Sequence, residues 1–442
     1  MYVLLKVSRQ KVLFKVTVVL SILPALMNQK SPWYYLLLLI LAGEAVFILP
    51  FVLPRIFRST VLDVFQMDNV AWGLASSAYG IVAVISYVCG GPLADKYPPR
   101  KLMAMALWLT ALGGLVFATF PSFYTLQILF GYWGFTTIFL FWAPMIKATR
   151  VWGGTHSQGK AFGLLDGGRG LTGALFGLLG VAIFSMFLSD NIETASLLER
   201  QEAFKYVIYC ASLIITIVGI LTWFFMKSGV NEKEIILERI SVSQIVSVLK
   251  LPSVVLLMVI ILCAYVGYKI TDILSQYANE VMLYDQVKSA QVGTFIQFLR
   301  PATGILLGLL VDRFRISFVL ILSFVATILG GVLFATGSIE SSATSLFFIS
   351  VIIIAVGVYS ARALYFAVMQ EGKIPLVLTG TAVGLISLVG YTPDIFASPA
   401  FGYLLDANPG KTGYQHVFWM LTAFSTIGCI AAMIYYFKFR KN

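Results

Sequence analysis

Eight charged side chains interrupt the long apolar stretches of this sequence. The basic ones are Arg169, Lys269, Arg300 and Arg362, and the acidic ones are Glu44, Asp166, Asp272 and Asp394. A charge in hydrocarbon is costly, so such residues pair with one another or line a water-filled cavity. Four bases against four acids are close to neutral. This inventory predicts a charged site, enclosed by apolar helices, that binds or relays ions.

Arg300 is the leading candidate for substrate binding. Gln297 precedes it, Pro301 follows it, and its own apolar stretch carries no acid. An arginine fork suits the oxygens of a carboxylate, phosphate or nitrate group. The alternative is a structural pair with Asp394 or Asp272 on another helix. The further candidates for substrate binding are Arg362, Lys269, Tyr265 and Tyr268.

Three acids are candidates for proton coupling, namely Glu44, Asp272 and Asp394. Glu44 has no base within four residues of it. Asp394 follows Pro393, which should break its helix and free backbone groups to face a cavity. A buried carboxyl of this kind can carry a proton. The alternative for Glu44 and for Asp394 is a salt bridge to a base on another helix.

Spacing along the helices predicts two local ion pairs. Asp166 and Arg169 are three residues apart, as are Lys269 and Asp272, and side chains at this spacing meet on one helix face. Each pair is either structural or part of the substrate path. Arg55 and Arg58 lie beyond the first apolar stretch, where they either cap its helix at the outer surface or face the cavity.

Composition excludes several classes of protein. The 442 residues are 59% apolar and only 12% charged, with a mean hydropathy of +0.90. Soluble enzymes, nucleic-acid binders and disordered chains carry far more charge. The two histidines lie far apart, the four cysteines fall in apolar runs, and we find no nucleophile–base set. We therefore expect no metal, no cofactor and no enzymatic activity.

The apolar stretches predict twelve membrane-spanning helices, because each crossing needs about 20 apolar residues. Their predicted bounds are 33–54, 70–92, 101–120, 123–146, 161–187, 204–226, 252–277, 290–310, 316–336, 344–369, 376–404 and 415–437. With both termini in the cytoplasm, 21 Lys and Arg residues fall on cytoplasmic segments and 6 on outer loops. This asymmetry follows the positive-inside rule and explains the basic charge without nucleic acid. We expect a monomer in the lipid bilayer of the cell (inner or plasma) membrane.

The chain divides into four segments. Residues 1–32 are a basic cytoplasmic or interfacial segment, and 227–251 are a polar cytoplasmic linker. Between and after them lie two six-helix halves, 33–226 and 252–442. In the fifth predicted helix, glycines recur at three- or four-residue steps and predict close packing against helix 8 or 11. They are Gly163, Gly167, Gly170, Gly173, Gly177 and Gly180.

Two short motifs recur at nearly half the chain length. G-x-L-x-D-[KR] occurs at Gly91–Lys96 and Gly308–Arg313, and G-x-A-x-G-L occurs at Gly159–Leu164 and Gly380–Leu385. The aspartates can accept hydrogen bonds from the first amides of a neighbouring helix, which predicts either a cytoplasmic latch or a simple anchored turn. The latch candidates are Gly91, Asp95, Lys96, Arg100, Asp312, Arg313, Asp166 and Arg169.

The first motif resembles the loop 2–3 signature of the major facilitator superfamily, although Pro98-Pro99 stand where that family usually has a glycine. The resemblance implies an all-α integral membrane fold of twelve helices in two six-helix parallel-repeat halves. It also implies alternating access around a site between the halves. The run Asp95–Arg100 is similar to the corresponding segment of organophosphate–phosphate antiporters. Arg300-Pro301 resembles the Arg-Pro pair of nitrate porters, but the asparagine that those porters have in helix 5 is absent here.

The buried bases favour one function over two others. We expect secondary active transport of a small organic anion, driven by protons or by a counter-substrate. The second hypothesis is proton-coupled efflux of amphipathic or cationic compounds, bound by Glu44 and Asp394. The third is a transporter-like sensor that binds a ligand without moving it.

Overall fold

A computed structural model describes residues 32–153, 158–188, 195–226, 248–311, 313–372 and 379–439. Within these ranges the chain is helical and contains no strand. The N-terminal segment, almost all of the linker and Asp312 lie outside the described residues. The predictions for those segments therefore stay predictions.

The N-terminal half contains six helical spans, α1–α6. Their bounds are Trp33–Ala45 with Ile48–Val52, Leu53–Ile56 and Arg58–Val64 (α1), Asn69–Lys96 (α2), Pro99–Phe117 (α3), Phe123–Gly134 with Phe135–Trp142 and Ala143–Gly153 (α4), Gln158–Phe187 (α5) and Leu197–Phe225 (α6). The C-terminal half repeats the arrangement in α7–α12. Their bounds are Pro252–Ile270 with Leu274–Glu280 (α7), Gln286–Val311 (α8), Ile316–Ala335 (α9), Thr344–Leu364 with Ala367–Gln370 (α10), Thr379–Gly390 with Pro393–Ala407 (α11) and Lys411–Phe439 (α12).

Most of the spans are long and apolar enough to cross a bilayer. In the described ranges nine helices meet that criterion, or ten if the bent pair in α1 counts as one span. The two other spans are α8 and α11, and α11 is broken in its middle. Each half has its own core of interlocking aromatic rings. Phe117, Phe130 and Trp133 pack edge to face in one half, and Tyr277 packs on Phe334 in the other.

The spans α1, α7 and α11 are interrupted, and prolines account for the interruptions in α1 and α11. α1 continues to Val64 instead of ending at residue 54, because Pro50 lies in a π-helical stretch and Pro54 in the first turn of the next segment. There a missing amide costs no intrahelical hydrogen bond. α7 breaks between Ile270 and Leu274. α11 breaks just before Pro393, as the sequence predicts.

The two halves are in contact at one end, where α2 meets α11 backbone to backbone. A Cβ atom at Gly73 would lie 2.7 Å from the carbonyl oxygen of Ser398, and one at Gly402 would lie 2.4 Å from that of Asn69. At Gly80 it would lie 2.6 Å from the carbonyl carbon of Asp394. Only glycine permits this approach. We call this region the closed end.

A carboxylate from the opposite half caps the first turn of α2 at the closed end. Asp406 of α11 accepts hydrogen bonds from the backbone amides of Asn69 (3.3 Å) and Val70 (2.7 Å), and from the Asn69 side chain (2.9 Å). These amides have no partner within their own helix, and their dipoles favour a negative charge. Asp406 therefore ties the two halves together electrostatically.

At the other end the described residues leave open space between the halves. Among these residues, no atom lies within 4 Å of the position that a Cβ would occupy at Gly163 and Gly167 of α5, Gly304 of α8 and Gly384 of α11. We call this region the open end. Only part of the predicted packing face of α5 is in contact with α8. Gly170 lies against Arg300 and Gly177 against Thr294, whereas Gly163 and Gly167 face open space among the described residues.

A bulky residue is expected to shift the equilibrium between the two states at the closed end but not at the open end. Gly80→Leu should force the closed end apart, because overpacking costs about 1–3 kcal/mol, and 1.4 kcal/mol is already tenfold in a two-state equilibrium. Spin labels at Tyr97 and Phe314, both near the open end, should then move closer together. Gly384→Leu is the matched control and should leave their separation long. An unchanged distance distribution in folded Gly80→Leu would contradict this account of closure.

Candidate functional site

One cluster of buried charges joins the two halves near the middle of the molecule. Arg300 of α8 pairs with Asp166 of α5, and its second terminal nitrogen lies 3.6 Å from a carboxylate oxygen of Glu44 on α1. The same oxygen of Glu44 lies 3.2 Å from Nε of Arg169 on α5. Two acids and one arginine of the N-terminal half therefore surround one arginine of the C-terminal half.

A second cluster lies closer to the closed end. Lys269 of α7 lies 3.0 Å from Asp272 and 3.5 Å from Asp394 of α11. Asp272 also receives a hydrogen bond of 2.6 Å from Nε of Arg55 on α1, which again links the halves. The hydroxyl of Tyr265 donates to Asp394 at 3.0 Å.

These pairings confirm one local prediction and correct others. Lys269 and Asp272 do pair at the predicted spacing. Asp166 and Arg169 instead each take a partner on another helix, because Arg300 and Glu44 reach them across the interface. Asp394 and Asp272 are the alternative partners that the sequence predicted for Arg300. That alternative is also wrong, because both acids pair with Lys269.

Arg55 and Arg58 are part of the interface and do not cap α1 at the surface. Arg55 is 2% exposed, donates a 2.8 Å hydrogen bond to the hydroxyl of Tyr268 and lies 4.6 Å above that ring. Arg58 donates to the side chains of Gln276 (3.4 Å) and Asn69 (3.3 Å). The cause is the extra length of α1. Removing these two arginines from the outer loops strengthens the predicted charge asymmetry.

Arg362 of α10 differs from the bases of the two clusters. Its guanidinium lies 3.8 Å from the centre of the Tyr268 ring, and one terminal nitrogen is buried without a hydrogen-bond partner. In the described part of the chain no acidic group lies within 4.0 Å of it. Arg300 lies close enough to repel the charge of Arg362, and Asp166 lies close enough to attract it. In the described part of the chain Arg362 therefore has no ion pair of its own.

The charges of the two clusters, taken with Arg362, do not balance. The bases are Arg55, Arg169, Lys269, Arg300 and Arg362, and the acids are Glu44, Asp166, Asp272 and Asp394. One positive charge is in excess in this set, and among the described residues only Arg362 of these bases has no acid within 4.0 Å. An uncompensated charge in a low-dielectric site attracts an anion.

Tyrosines form much of the wall around these charges. Tyr268 and Tyr265 of α7 pack on each other, and Tyr265 packs edge to face on Tyr391 of α11. Tyr87 of α2 stacks on Tyr391 from the opposite half at 5.6 Å. Tyr268 also contacts Tyr359 of α10. Two substrate-binding candidates from the sequence, Tyr265 and Tyr268, therefore lie between the bases.

The predicted cytoplasmic latch is only partly described. Lys96 is exposed at the end of α2, Arg100 lies in the first turn of α3, and Arg313 is exposed after α8. The side chain of Asp95 and the whole of Asp312 lie outside the described residues, and Gly91 is described only as part of α2. Asp166 and Arg169 belong to the central cluster and not to this latch, because they pair with Arg300 and Glu44.

Two buried residues of the interface were missed as site candidates by the sequence analysis. Gln297 lies one turn before Arg300, beside Gly173 of α5, and Tyr359 lies one turn before Arg362. Both are almost fully buried. Their i,i+3 spacing to the two arginines is the signal that could have identified them. No cluster of potential metal ligands occurs among the described residues.

Comparisons with known proteins agree with this architecture. The sequence model of the Major Facilitator Superfamily matches residues 35–398. The inner membrane proteins YqcE and YihN of Escherichia coli (strain K12) are each 27% identical, over 89% and 92% of this chain and 92% and 96% of their own lengths. A bacterial homologue of the human lysosomal transporter Spinster, in an inward-facing and occupied conformation, superposes with a TM-score of 0.69 at 15% identity, covering 91% of this chain and 96% of that one. This chain therefore belongs to the Major Facilitator Superfamily and is a multi-pass membrane transporter.

Proposed function

We propose that this chain transports a small organic anion by alternating access, coupled to protons or to a counter-substrate. The observation that carries the proposal is that Arg362, at the interface of the halves, has a buried terminal nitrogen without a hydrogen-bond partner and no ion pair among the described residues. Burying an unpaired arginine is costly, and an anionic ligand that forms ion pairs with it removes that cost. The planar fork of arginine also gives two parallel hydrogen bonds to a carboxylate or phosphate.

Arg300 provides the second contact to the anion. Its side chain is buried, whereas the side chain of its partner Asp166 is 35% exposed. Asp166 is next to Gly167 at the open end, so a ligand that enters there meets this carboxylate first. The anion can then replace Asp166 on the arginine, since the two groups have the same charge and similar geometry.

Replacement of Asp166 links binding to movement. The pairs of Arg300 with Asp166 and Glu44 join the two halves, as does the pair of Arg55 with Asp272. An anion bound to Arg300 weakens the pairs of Arg300 with Asp166 and Glu44. The halves can then move more easily relative to each other. A ligand moves such an equilibrium only by its differential affinity for the two states.

Coupling is assigned to the acids Glu44, Asp272 and Asp394, each of which lies within 4 Å of a base. Protonation of one of them would release its base to the substrate, which is proton coupling. Competition of two anions for the same bases would instead give exchange. With both termini in the cytoplasm, the open end faces the cytoplasm and the structure is inward-facing.

Cation efflux has less support. In that hypothesis Glu44 and Asp394 bind the cation, but Glu44 is paired with Arg169 and Arg300, and Asp394 with Lys269 and Tyr265. A cation would have to displace these partners. A ligand sensor would differ from a transporter in binding the ligand without moving it across the membrane, so a flux measurement distinguishes the two.

Loss of the Arg362 charge should abolish anion binding. Thermal stability of the purified protein is measured with phosphate esters, sugar acids, dicarboxylates, nitrate and lipophilic cations. One anion class should stabilise the wild type, by about 2.7 kcal/mol at 100 times its dissociation constant. Arg362→Gln should weaken the binding of that anion by tenfold or more, because a charge-assisted pair is lost. Lys288→Gln is the control, since this side chain is exposed near the start of α8.

The same panel separates the alternatives. Stabilisation by cations alone, with Arg362→Gln behaving as wild type, would overturn the anion proposal. Equal weakening by Lys288→Gln would show that net charge, and not a defined site, attracts the anion.

Neutralising Asp166 should strengthen anion binding and slow transport. Asp166→Asn removes the internal competitor for Arg300, so the dissociation constant of the anion should fall about tenfold, the equivalent of 1.4 kcal/mol. Uptake into proteoliposomes should slow, because release of the anion now lacks a replacement carboxylate. Asp285→Asn, which neutralises an acid paired with exposed Lys288, should change neither quantity. Weaker binding in Asp166→Asn would count against the replacement step.

A further inference from the structure

Several buried polar atoms around Arg300 and Arg362 have no hydrogen-bond partner in the described part of the chain. They are both amide atoms of Gln297, Nε of Arg300, the hydroxyl of Tyr359 and one terminal nitrogen of Arg362. Buried polar groups are nearly always paired, so a group of unpaired ones calls for an explanation. The residues belong to α8 and α10, two adjacent helices of one half.

Gln297 is the most informative of them. It is 1% exposed, and its amide nitrogen lies 3.4 Å from the position that a Cβ would take at Gly173 of the opposite half. A carboxylate oxygen of Glu44 lies 2.8 Å from the same position. The glycine thus leaves the carboxamide room at the interface of the halves, next to the charged cluster.

The donor or acceptor character of the unpaired atoms indicates which ligand groups could pair with them. The arginine nitrogens only donate, so they fit an anionic group. The carbonyl oxygen of Gln297 only accepts, and it needs an O–H or N–H donor, which neither nitrate nor an alkyl carboxylate offers. Its amide nitrogen needs an acceptor, and the hydroxyl of Tyr359 can do either. Alcohol hydroxyls on the ligand, which both donate and accept, can pair with the carboxamide of Gln297 and the hydroxyl of Tyr359.

The spacing limits where such hydroxyls lie. Gln297 and Arg300 are three residues apart on α8, which corresponds to a rise of about 4.5 Å. A hydroxyl that pairs with Gln297 therefore lies within a few bonds of the anionic group on Arg300. A chain or ring of adjacent hydroxylated carbons meets this condition.

We infer that the substrate is a polyhydroxylated organic anion, of the sugar-acid or sugar-phosphate kind. Its anionic group binds Arg362 and Arg300, and its hydroxyls bind Gln297 and Tyr359. This inference rests on the proposed anion transport and adds the substrate class. Gln297 is then a specificity-determining residue.

The test compares matched ligands on the purified full-length protein by calorimetry. Gluconate is a six-carbon chain with a carboxylate and hydroxyls on its other carbons, and hexanoate is the same chain with the carboxylate alone. Glucose carries hydroxyls without charge, and glucose 6-phosphate has a phosphate in place of the carboxylate. At least one of the two hydroxylated anions should bind tenfold or more tightly than hexanoate, and glucose should not bind measurably. Which of the two binds identifies the anionic group.

The matched variant is Gln297→Met, which keeps the length of the side chain and removes its polar atoms. It should lose tenfold or more in affinity for the hydroxylated anion and leave the affinity for hexanoate unchanged. The unliganded protein should keep its thermal stability, because no internal hydrogen bond is lost. Gln415→Met, on α12, should behave as wild type.

The outcomes separate the two proposals. Hexanoate that binds as tightly as the better of the two hydroxylated anions, or a Gln297→Met variant that binds the hydroxylated anion as the wild type does, overturns the substrate class and leaves anion transport standing. Binding of none of the anions overturns both.

Discussion

An arginine side chain stays charged at any physiological pH, and the interface between the halves of this protein is organised around that fact. Arg300 of one half is held by Asp166 and Glu44 of the other, and Arg55 makes the reverse crossing to Asp272. Leaving any of these charges without a partner in an apolar surrounding costs free energy. Separation of the halves would break these pairs, and a group that takes the place of a lost partner would lower that cost.

The irregular parts of the helices lie next to these charges. α1 turns π-helical between Glu44 and Arg55, α7 breaks around Asp272, and α11 breaks just before Asp394. Broken backbone is tolerated at membrane depth where it is enclosed by protein. Here it supplies polar contacts to the interface, as in the 2.7 Å hydrogen bond from the hydroxyl of Ser275 to the carbonyl oxygen of Arg55. The breaks and the charges thus form one polar layer between two apolar cores.

The sequence was sufficient to predict the fold but not the pairing of charges. The twelve spans, the repeat and the break at Pro393 follow from apolar length, internal similarity and the chemistry of proline. Spacing within one helix correctly paired Lys269 with Asp272, yet failed for Asp166 and Arg169. Partners on other helices depend on how the helices pack, which a single sequence does not reveal. The same limit hid the burial of Arg55, because the length of α1 depends on a π-helical stretch.

The backbone of α11 has a second consequence. The peptide of Asp394 is what a side chain at Gly80 would strike, and the carboxylate of Asp394 contacts Lys269. The contact between the halves and the electrostatics of the interface thus share one residue, so a displacement of α2 is transmitted to the ion pairs without any intermediate group. A rotation of the Pro393–Ala407 segment of α11 about the break before it would therefore move the charge network as well.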